Sequence, residues 1–332
     1  MSNLVVAVPS KGRLQENAAA FFARAGLRFV QGRGARDYRG VLAGVDNVDI
    51  AFLSAGEITR HLAEGSVHMG VTGEDLVRET IPDLDARAVL LTRLGFGEAN
   101  VVVAVPRAWI DVRTMADLAD VASGFRARRG ERMRVATKYV HLTRRYFAEC
   151  GVTDYRIVES LGATEGAPAA GQAELIVDIT TTGATLEANA LKVLDDGIIL
   201  RSEANLVASR NARWDAGARE SARKILSRIA AEEEARTTRD VAAILPAFSD
   251  NHIAKVAASF DAKLRRRSAD GHLVIQCPRD RAPALADWLI MQGADSVTAG
   301  QHDYVFSARN PLWEMLAAAL DGAHAPEKIA GS

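Results

Sequence analysis

The chain has 332 residues, 48% hydrophobic and 25% charged, with a net charge of -1 at neutral pH, the profile of a soluble globular protein long enough for two or three domains. Balanced charge gives no reason to expect nucleic acid or an anionic membrane as a partner, so any phosphate chemistry has to rest on local basic residues. Cys150 and Cys277 lie far apart without metal-ligand spacing and read as reduced structural thiols of a cytoplasmic protein. The apolar run Leu4–Val8 lacks a basic n-region and is too short for a signal segment or a membrane span.

Leu4–Val8 predicts a strand, followed by the loop Pro9-Ser10-Lys11-Gly12-Arg13-Leu14 and a helical pattern through Ala18, Phe21, Phe22 and Ala25. Lys11 and Arg13 flank a glycine where a sheet's carboxyl edge would bring them to phosphate oxygens; the alternative is a solvated basic turn. Asp49–Leu53 and His68–Val71 predict two more strands, the first followed by a helix from about Glu57 to Leu62. The second runs into Thr72-Gly73-Glu74-Asp75, where glycine lets backbone approach a ligand and Asp75 either caps a helix or meets that ligand.

Ala99–Val105 is a long apolar strand ended by Pro106 and preceded by Gly95-Phe96-Gly97, read as the crossing into a second lobe. A helix at Ala116–Val121, a solvated basic connector at Arg126–Arg132 and a strand at Met133–Ala136 follow. No aromatic residues interleave with the connector, so it does not suggest base stacking. Next, Lys138 and Thr143 bracket a loop able to bind an anion, Tyr139 is placed to stack on or hydrogen-bond to a nucleotide, and Leu142, Tyr146 and Phe147 share a helix face. Tyr155–Val158 predicts a strand leading to Glu165 in a loop of small residues, a solvated glutamate or a ligand acid.

The most informative stretch is Glu174–Leu186. Leu175–Val177 and Ile179 predict a strand buried on both faces of a parallel sheet, with Asp178 at its carboxyl end. Leu186, Ala190, Val193 and Leu194 then recur at helical spacing. Between them, Thr180–Thr185 offers hydroxyls and backbone N–H groups for a phosphate, with neither a Walker lysine nor dinucleotide-type glycines; the alternative is a plain helix cap. Acid plus phosphate loop suggests a phosphorylated ribose.

This run resembles the 5-phosphoribosyl-1-pyrophosphate (PRPP) signature of phosphoribosyltransferases, in the form seen in ATP phosphoribosyltransferase, which opens histidine biosynthesis. Lys11-Gly12-Arg13-Leu14, Gly65–Leu76, Ala136–Phe147 and Gly162–Pro168 resemble further motifs of that family, with an extra Ser10, a divergent segment at Ser54–Thr59, His68 in place of an aspartate and Val140 in place of a proline. The resemblance spans roughly residues 3–210. It implies an α/β fold with a two-lobed, periplasmic-binding-protein-like catalytic core: lobe I from 1–98 and 187–213, lobe II from 99–186.

By the same resemblance, Lys11, Arg13, Glu165 and Asp178 are the catalytic residues. Asp178, Thr181, Thr182, Gly183, Ala184 and Thr185 bind PRPP, while Lys11, Arg13, Thr72, Gly73, Asp75, Lys138 and Tyr139 bind ATP. Mg²⁺ would be held mainly by substrate phosphates rather than by a protein metal site. A homo-oligomer is implied, with a histidyl-tRNA-synthetase-like regulatory subunit as a further partner and no nucleic acid or membrane. Competing readings are a phosphoribosyltransferase on another acceptor and a non-catalytic cytoplasmic sensor.

The tail differs in composition. Asp215–Ala235 predicts a charged helix, Thr237–Leu245 and Asn251–Leu264 shorter helices, and His272–Cys277, Arg281–Met291, Ser296–Phe306 and Pro311–Leu320 a strand–helix–strand–helix series. The whole of 214–332 is expected to be a separate α+β module for assembly or regulation, similar to the ferredoxin-like, histidine-binding domain of long-form family members. Truncation near Trp214 is then expected to leave a foldable chain.

Overall fold

The computed structural model describes residues 3–31 and 39–322. The chain opens with β1 (Leu4–Pro9), α1 (Gly12–Arg24), β2 (Arg28–Gln31), β3 (Arg39–Ala43), β4 (Val48–Leu53), α2 (Ala55–Glu64), β5 (Met69–Gly73), α3 (Glu74–Thr80), α4 (Leu84–Arg87) and β6 (Ala88–Arg93). Local chemistry sets some of these limits. α2 begins in a capping box, in which Ser54 Oγ accepts from Glu57 N and Glu57 Oε2 accepts from Ser54 N, and ends at Gly65, whose φ of 78° suits glycine. The divergent Ser54–Thr59 segment is thus a self-contained helix start.

Lobe II contains β7 (Ala99–Pro106), α5 (Met115–Arg129), β8 (Met133–Thr137), α6 (Val140–Glu149), β9 (Tyr155–Glu159), β10 (Leu175–Thr180), α7 (Ala184–Ala188) and β11 (Leu191–Ser202). The chain then returns as β12 (Ala204–Ser209). Lobe I is a seven-stranded sheet in the order β2-β3-β4-β1-β5-β12-β6, and lobe II a five-stranded sheet in the order β11-β7-β10-β8-β9. This is the two-lobed, periplasmic-binding-protein-like core that the sequence implies. Leu175, Ile176 and Val177 are fully buried as expected but Ile179 is 38% exposed, and the sheet is mixed: β10 is parallel to β8 and antiparallel to β7.

Two crossovers run side by side between the sheets. Leu94 N donates to Ala204 O and Ala204 N to Phe96 O, both at 2.9 Å. In register, Ala99 faces Ser202 in one sheet and Gly73 faces Ala204 in the other. The carboxyl ends of β1, β4 and β5 therefore meet the crossovers from lobe I, and those of β8, β9 and β10 from lobe II. Open α/β sheets bind ligands at such edges.

The sequence reading needs several corrections. The helix expected through Leu194 stops at Ala188, because Ala190 takes a left-handed φ of 54° and turns the chain into β11. That strand pairs with β7 in lobe II, so residues 191–202 do not return to lobe I. The apparent helical spacing joins Leu186 of α7, Ala190 of the turn and Val193 and Leu194 of β11, three different local structures. α5 runs on to Arg129, which makes the first part of the expected basic connector a helical last turn carrying Arg126, Arg128 and Arg129, where cations suit the dipole.

In the tail, α8 (Ala216–Thr237) is followed by β13 (Thr238–Ile244), α9 (Asp250–Phe260), β14 (Lys263–Arg267), β15 (His272–Pro278), α10 (Ala282–Met291), β16 (Val297–Gly300) and α11 (Pro311–Gly322). Residues 238–244 form a strand, not a helix: Val241, Ala243 and Leu245 are buried with period two. The expected helix at 251–264 ends at Phe260, and of the one or two strands expected over 296–306 only Val297–Gly300 forms. The β13-α9-β14-β15-α10-β16 succession with sheet order β14-β15-β13-β16, antiparallel throughout, is the ferredoxin-like arrangement. α8 and α11 lie outside it. Ala218, Ala222, Ile225, Leu226 and Ile229 of α8, with Leu316 and Leu320 of α11, belong to the lobe I core beside Leu4, Val6 and Phe22. The separate module is accordingly narrower than 214–332.

Candidate active site

Asp178 is half-buried near the carboxyl end of β10 and accepts the Ile179 N–H at 2.8 Å. Burial pushes its carboxyl above the ordinary aspartate value. The Ile179 N–H and the Lys138 charge oppose that rise, and the Glu165 charge adds to it. Those couplings put Lys138, Glu165 and Asp178 in one electrostatic neighbourhood, although Lys138 and Glu165 follow β8 and β9 and Asp178 lies in β10.

The threonine–glycine loop leaves β10 directly. Gly183 stands at φ 81° with no neighbouring atom within 4 Å of an added Cβ, so conformation rather than crowding calls for glycine there. Its N–H donates to Thr180 Oγ1 at 2.8 Å, and Ala184 N approaches Thr182 Oγ1 at 3.4 Å. Thr181 Oγ1 donates to Glu98 O at 3.0 Å, tying the loop to a crossover. Thr181, Thr182, Ala184 and Thr185 are exposed, as a phosphate cradle requires.

Lys11 and Arg13 are exposed at the start of α1, with Gly12 at φ 70° between them. The next residue, Leu14, lies against Gly97, the neighbour of Glu98 on that same crossover. The Lys11–Arg13 loop and the Thr180–Thr185 loop therefore meet the same connecting segment, 94–98, from opposite lobes.

Other expected nucleotide contacts are engaged within the protein. Thr72 is fully buried; its hydroxyl donates to Ala55 O at 3.1 Å and lies 3.0 Å from Thr59 Oγ1. Gly73 is the N-cap residue of α3, and a Cβ there would stand 2.2 Å from Asp75 Oδ1. Tyr139 is 1% exposed, and its hydroxyl donates to Asp75 Oδ2 at 2.7 Å. Burial first, then the Asp75 carboxylate, push the Tyr139 phenol far up, so it stays a neutral donor. Asp75 is not the cap of α3: its Oδ1 accepts from Ser202 Oγ at 2.9 Å.

The start of α6, expected to offer its N–H groups to an anion, already holds one. Glu79 of α3 accepts from His141 N at 2.9 Å and Leu142 N at 3.0 Å, so lobe I caps a lobe II helix. Sequence reasoning missed Glu79 and Ser202. The signal for Glu79 was its i,i+4 spacing from Asp75, which puts both acids on one helix face; Ser202 carried none. His68 is structural: Nδ1 accepts Val5 N at 3.0 Å, Nε2 faces Arg213 O at 3.1 Å, and the ring packs edge-on to Trp214.

A family model for ATP phosphoribosyltransferase matches residues 54–231. The chain is similar to the ATP phosphoribosyltransferase of Nitrobacter winogradskyi, 61% identical over 317 residues that span 95% of this chain and 98% of that one. It is also similar to that of Rhodopseudomonas palustris strain HaA2, 58% identical over 318 residues, or 95% and 98% of the two chains. Among solved structures, the ATP phosphoribosyl transferase (HisG:HisZ) complex from Thermotoga maritima matches with a TM-score of 0.52 and 24% identity, covering 68% of this chain and 96% of that one, a likeness of fold. With the loops of two lobes meeting at paired crossovers and relatives matched over nearly their full length, the chain belongs to the ATP phosphoribosyltransferase family.

Proposed function

We propose that the chain condenses ATP with PRPP between the two facing carboxyl edges. The lone pair on N1 of the adenine attacks the anomeric carbon, the bond from that carbon to the diphosphate oxygen breaks, and N1-(5-phosphoribosyl)-ATP and diphosphate leave. No general base has to create the nucleophile, so catalysis rests on alignment and charge.

The observation that carries this reading is Asp178, a half-buried carboxylate under the influence of Lys138 and Glu165, whose strand turns straight into the exposed threonine–glycine loop. In the proposal the 5-phosphate is held by Thr181, Thr182, Gly183, Ala184 and Thr185, and Asp178 and Glu165 align the ribose. Lys11 and Arg13 from lobe I and Lys138 from lobe II meet the phosphates. Among the described residues no group of three or more His, Cys, Asp or Glu side chains converges on a metal site. In this reading Mg²⁺ would be carried in on the substrate phosphates, with Asp178 and Glu165 as the carboxylates that would help to hold it there. Such an ion neutralises charge on the departing diphosphate.

Homo-oligomeric assembly, cytoplasmic residence and a histidyl-tRNA-synthetase-like partner belong to the same proposal. No helix among the described residues is long and apolar enough to cross a membrane. Light scattering of the purified chain, alone and with a candidate subunit, reads its assembly.

The test of activity is incubation with ATP, PRPP and Mg²⁺ while following phosphoribosyl-ATP absorbance, in parallel with free nucleobases replacing ATP. Product from ATP alone is expected. Product only from a base would move the chain to another acceptor, and none from either would leave a ligand-binding sensor.

A further inference from the structure

Lys138 directly precedes Tyr139, and its Nζ stands 5.0 Å from the centre of the Tyr139 ring, within cation–π range. The ring itself is fixed from several directions. Tyr139 N donates to Thr137 Oγ1 at 2.8 Å, its carbonyl accepts Thr143 Oγ1 at 2.5 Å, and its hydroxyl reaches across the lobes to Asp75. Asp75 is fixed in turn, because Ser202 Oγ donates to its Oδ1 and accepts its backbone N–H, each at 2.9 Å. Ser202 ends β11, one residue before the return crossover. Immediately after Tyr139, the Glu79 carboxylate holds the amides of His141 and Leu142.

Lys138 is thus the exposed end of a buried chain that starts at the crossover and passes through lobe I before reaching lobe II. A nucleotide contact through the Tyr139 hydroxyl or the Asp75 carboxylate would have to break these bonds, leaving buried polar groups without partners. We propose instead that Tyr139 and Asp75 are positioning residues for Lys138: the ring seats the ammonium in the neighbourhood of Asp178, and the Asp75 carboxylate of the facing lobe sets the ring. This rests on the reading of Lys138 as a phosphate-binding cation. It makes the placement of that cation depend on the relation between the lobes.

The test is a mutant cycle on the full chain, reading kcat and KM for each substrate together with thermal unfolding. Lys138→Met is expected to lower kcat/KM for PRPP. Tyr139→Leu, which removes the ring, is expected to cost roughly three- to thirtyfold, whereas Tyr139→Phe, which keeps the ring but loses its bond to Asp75, should cost less and leave the KM for ATP unchanged. In the Lys138→Met background Tyr139→Leu should cost nothing more, since contacting residues that act as a unit are not additive. Full additivity would overturn the proposal, as would Tyr139→Phe raising the KM for ATP as much as Tyr139→Leu does. Should Tyr139→Leu fail to fold, Asp75→Asn with Lys138→Met supplies the same cycle, with coupling in favour and additivity against. Unchanged kinetics in Lys138→Met would remove the cation role itself, a failure distinct from additivity.

Discussion

Glu79 and His141 lie on different lobes, yet the Glu79 carboxylate receives the His141 main-chain N–H at 2.9 Å. With the Leu142 amide at 3.0 Å, this is a helix cap delivered from outside the helix. Glu79→Ala should cost about 1 kcal/mol of stability, the usual scale for a lost cap, and speed amide exchange at both residues. Exchange at His141 and Leu142 no faster than in the parent would rule the cap out.

Asp178→Asn keeps shape and removes charge, so kcat/KM for PRPP should fall about ten- to hundredfold with little change in unfolding temperature. Burial holds the Asp178 carboxyl above 3.8, so it takes up a proton at a higher pH than an exposed aspartate. Activity that needs the carboxylate should therefore decline on the acid side, with an apparent pKa above that value. A pH profile with the same acid limb in Asp178→Asn would assign the limb to another group.

At Gly183 the expected penalty is conformational, since nothing lies within 4 Å of an added Cβ and φ is 81°. Gly183→Ala should cost about 1 kcal/mol and Gly183→Val more, through the left-handed backbone, and both should weaken PRPP binding by deforming the loop. Calorimetric titration with PRPP decides: full affinity in a folded Gly183→Val protein would mean that the loop does not hold the phosphate.

His68 predicts a pH dependence of stability. Its Nδ1 accepts Val5 N, so the folded state needs the neutral ring, and burial lowers the pKa below 6.5. The unfolded chain then binds a proton that the folded one refuses. This stabilisation is complete above about pH 6.5 and is lost as pH falls through the lower folded value, with a slope of at most about 1.4 kcal/mol per unit. Denaturant unfolding across that range should show a shallower slope in His68→Gln; an identical slope would exonerate the histidine.

Truncation near Trp214 is now expected to prevent folding. It removes Ile225, Leu226 and Ile229 of α8 from the lobe I core, and at about 1.5–3 kcal/mol each their loss approaches the whole stability of a typical domain. Replacing residues 238–300 with a short linker, which keeps α8 and α11, should instead leave a folded core. A soluble, cooperatively unfolding chain ending at Trp214 would contradict this.

The strand–loop–helix around Asp178 was legible because three local signals coincide there: a fully apolar run, an acid at its end and a small polar turn. Residues 238–244 were not, since Val241, Ala242 and Leu245 fit a helical period as well as Val241, Ala243 and Leu245 fit a strand, and only pairing with β15 decides between them. The sheet to which β11 belongs was equally hidden, because pairing with β7 is a tertiary choice. The motif around Tyr139 was recognised, but what its hydroxyl touches depends on Asp75, 64 residues away in sequence.

The ferredoxin-like unit is spliced between α8 and α11, and both splice points are seated on lobe I. Val305 N donates to Ala231 O and Tyr304 Oη to Arg24 O, each at 2.9 Å, and Arg219 pairs with Asp321 at 2.9 Å. The unit is thus anchored at both ends and not tethered at one. One mount, α8, packs on β1, the strand that leads into Lys11 and Arg13. The far sheet is thereby joined to the strand before Lys11 and Arg13 through two anchored helices rather than a loose tail.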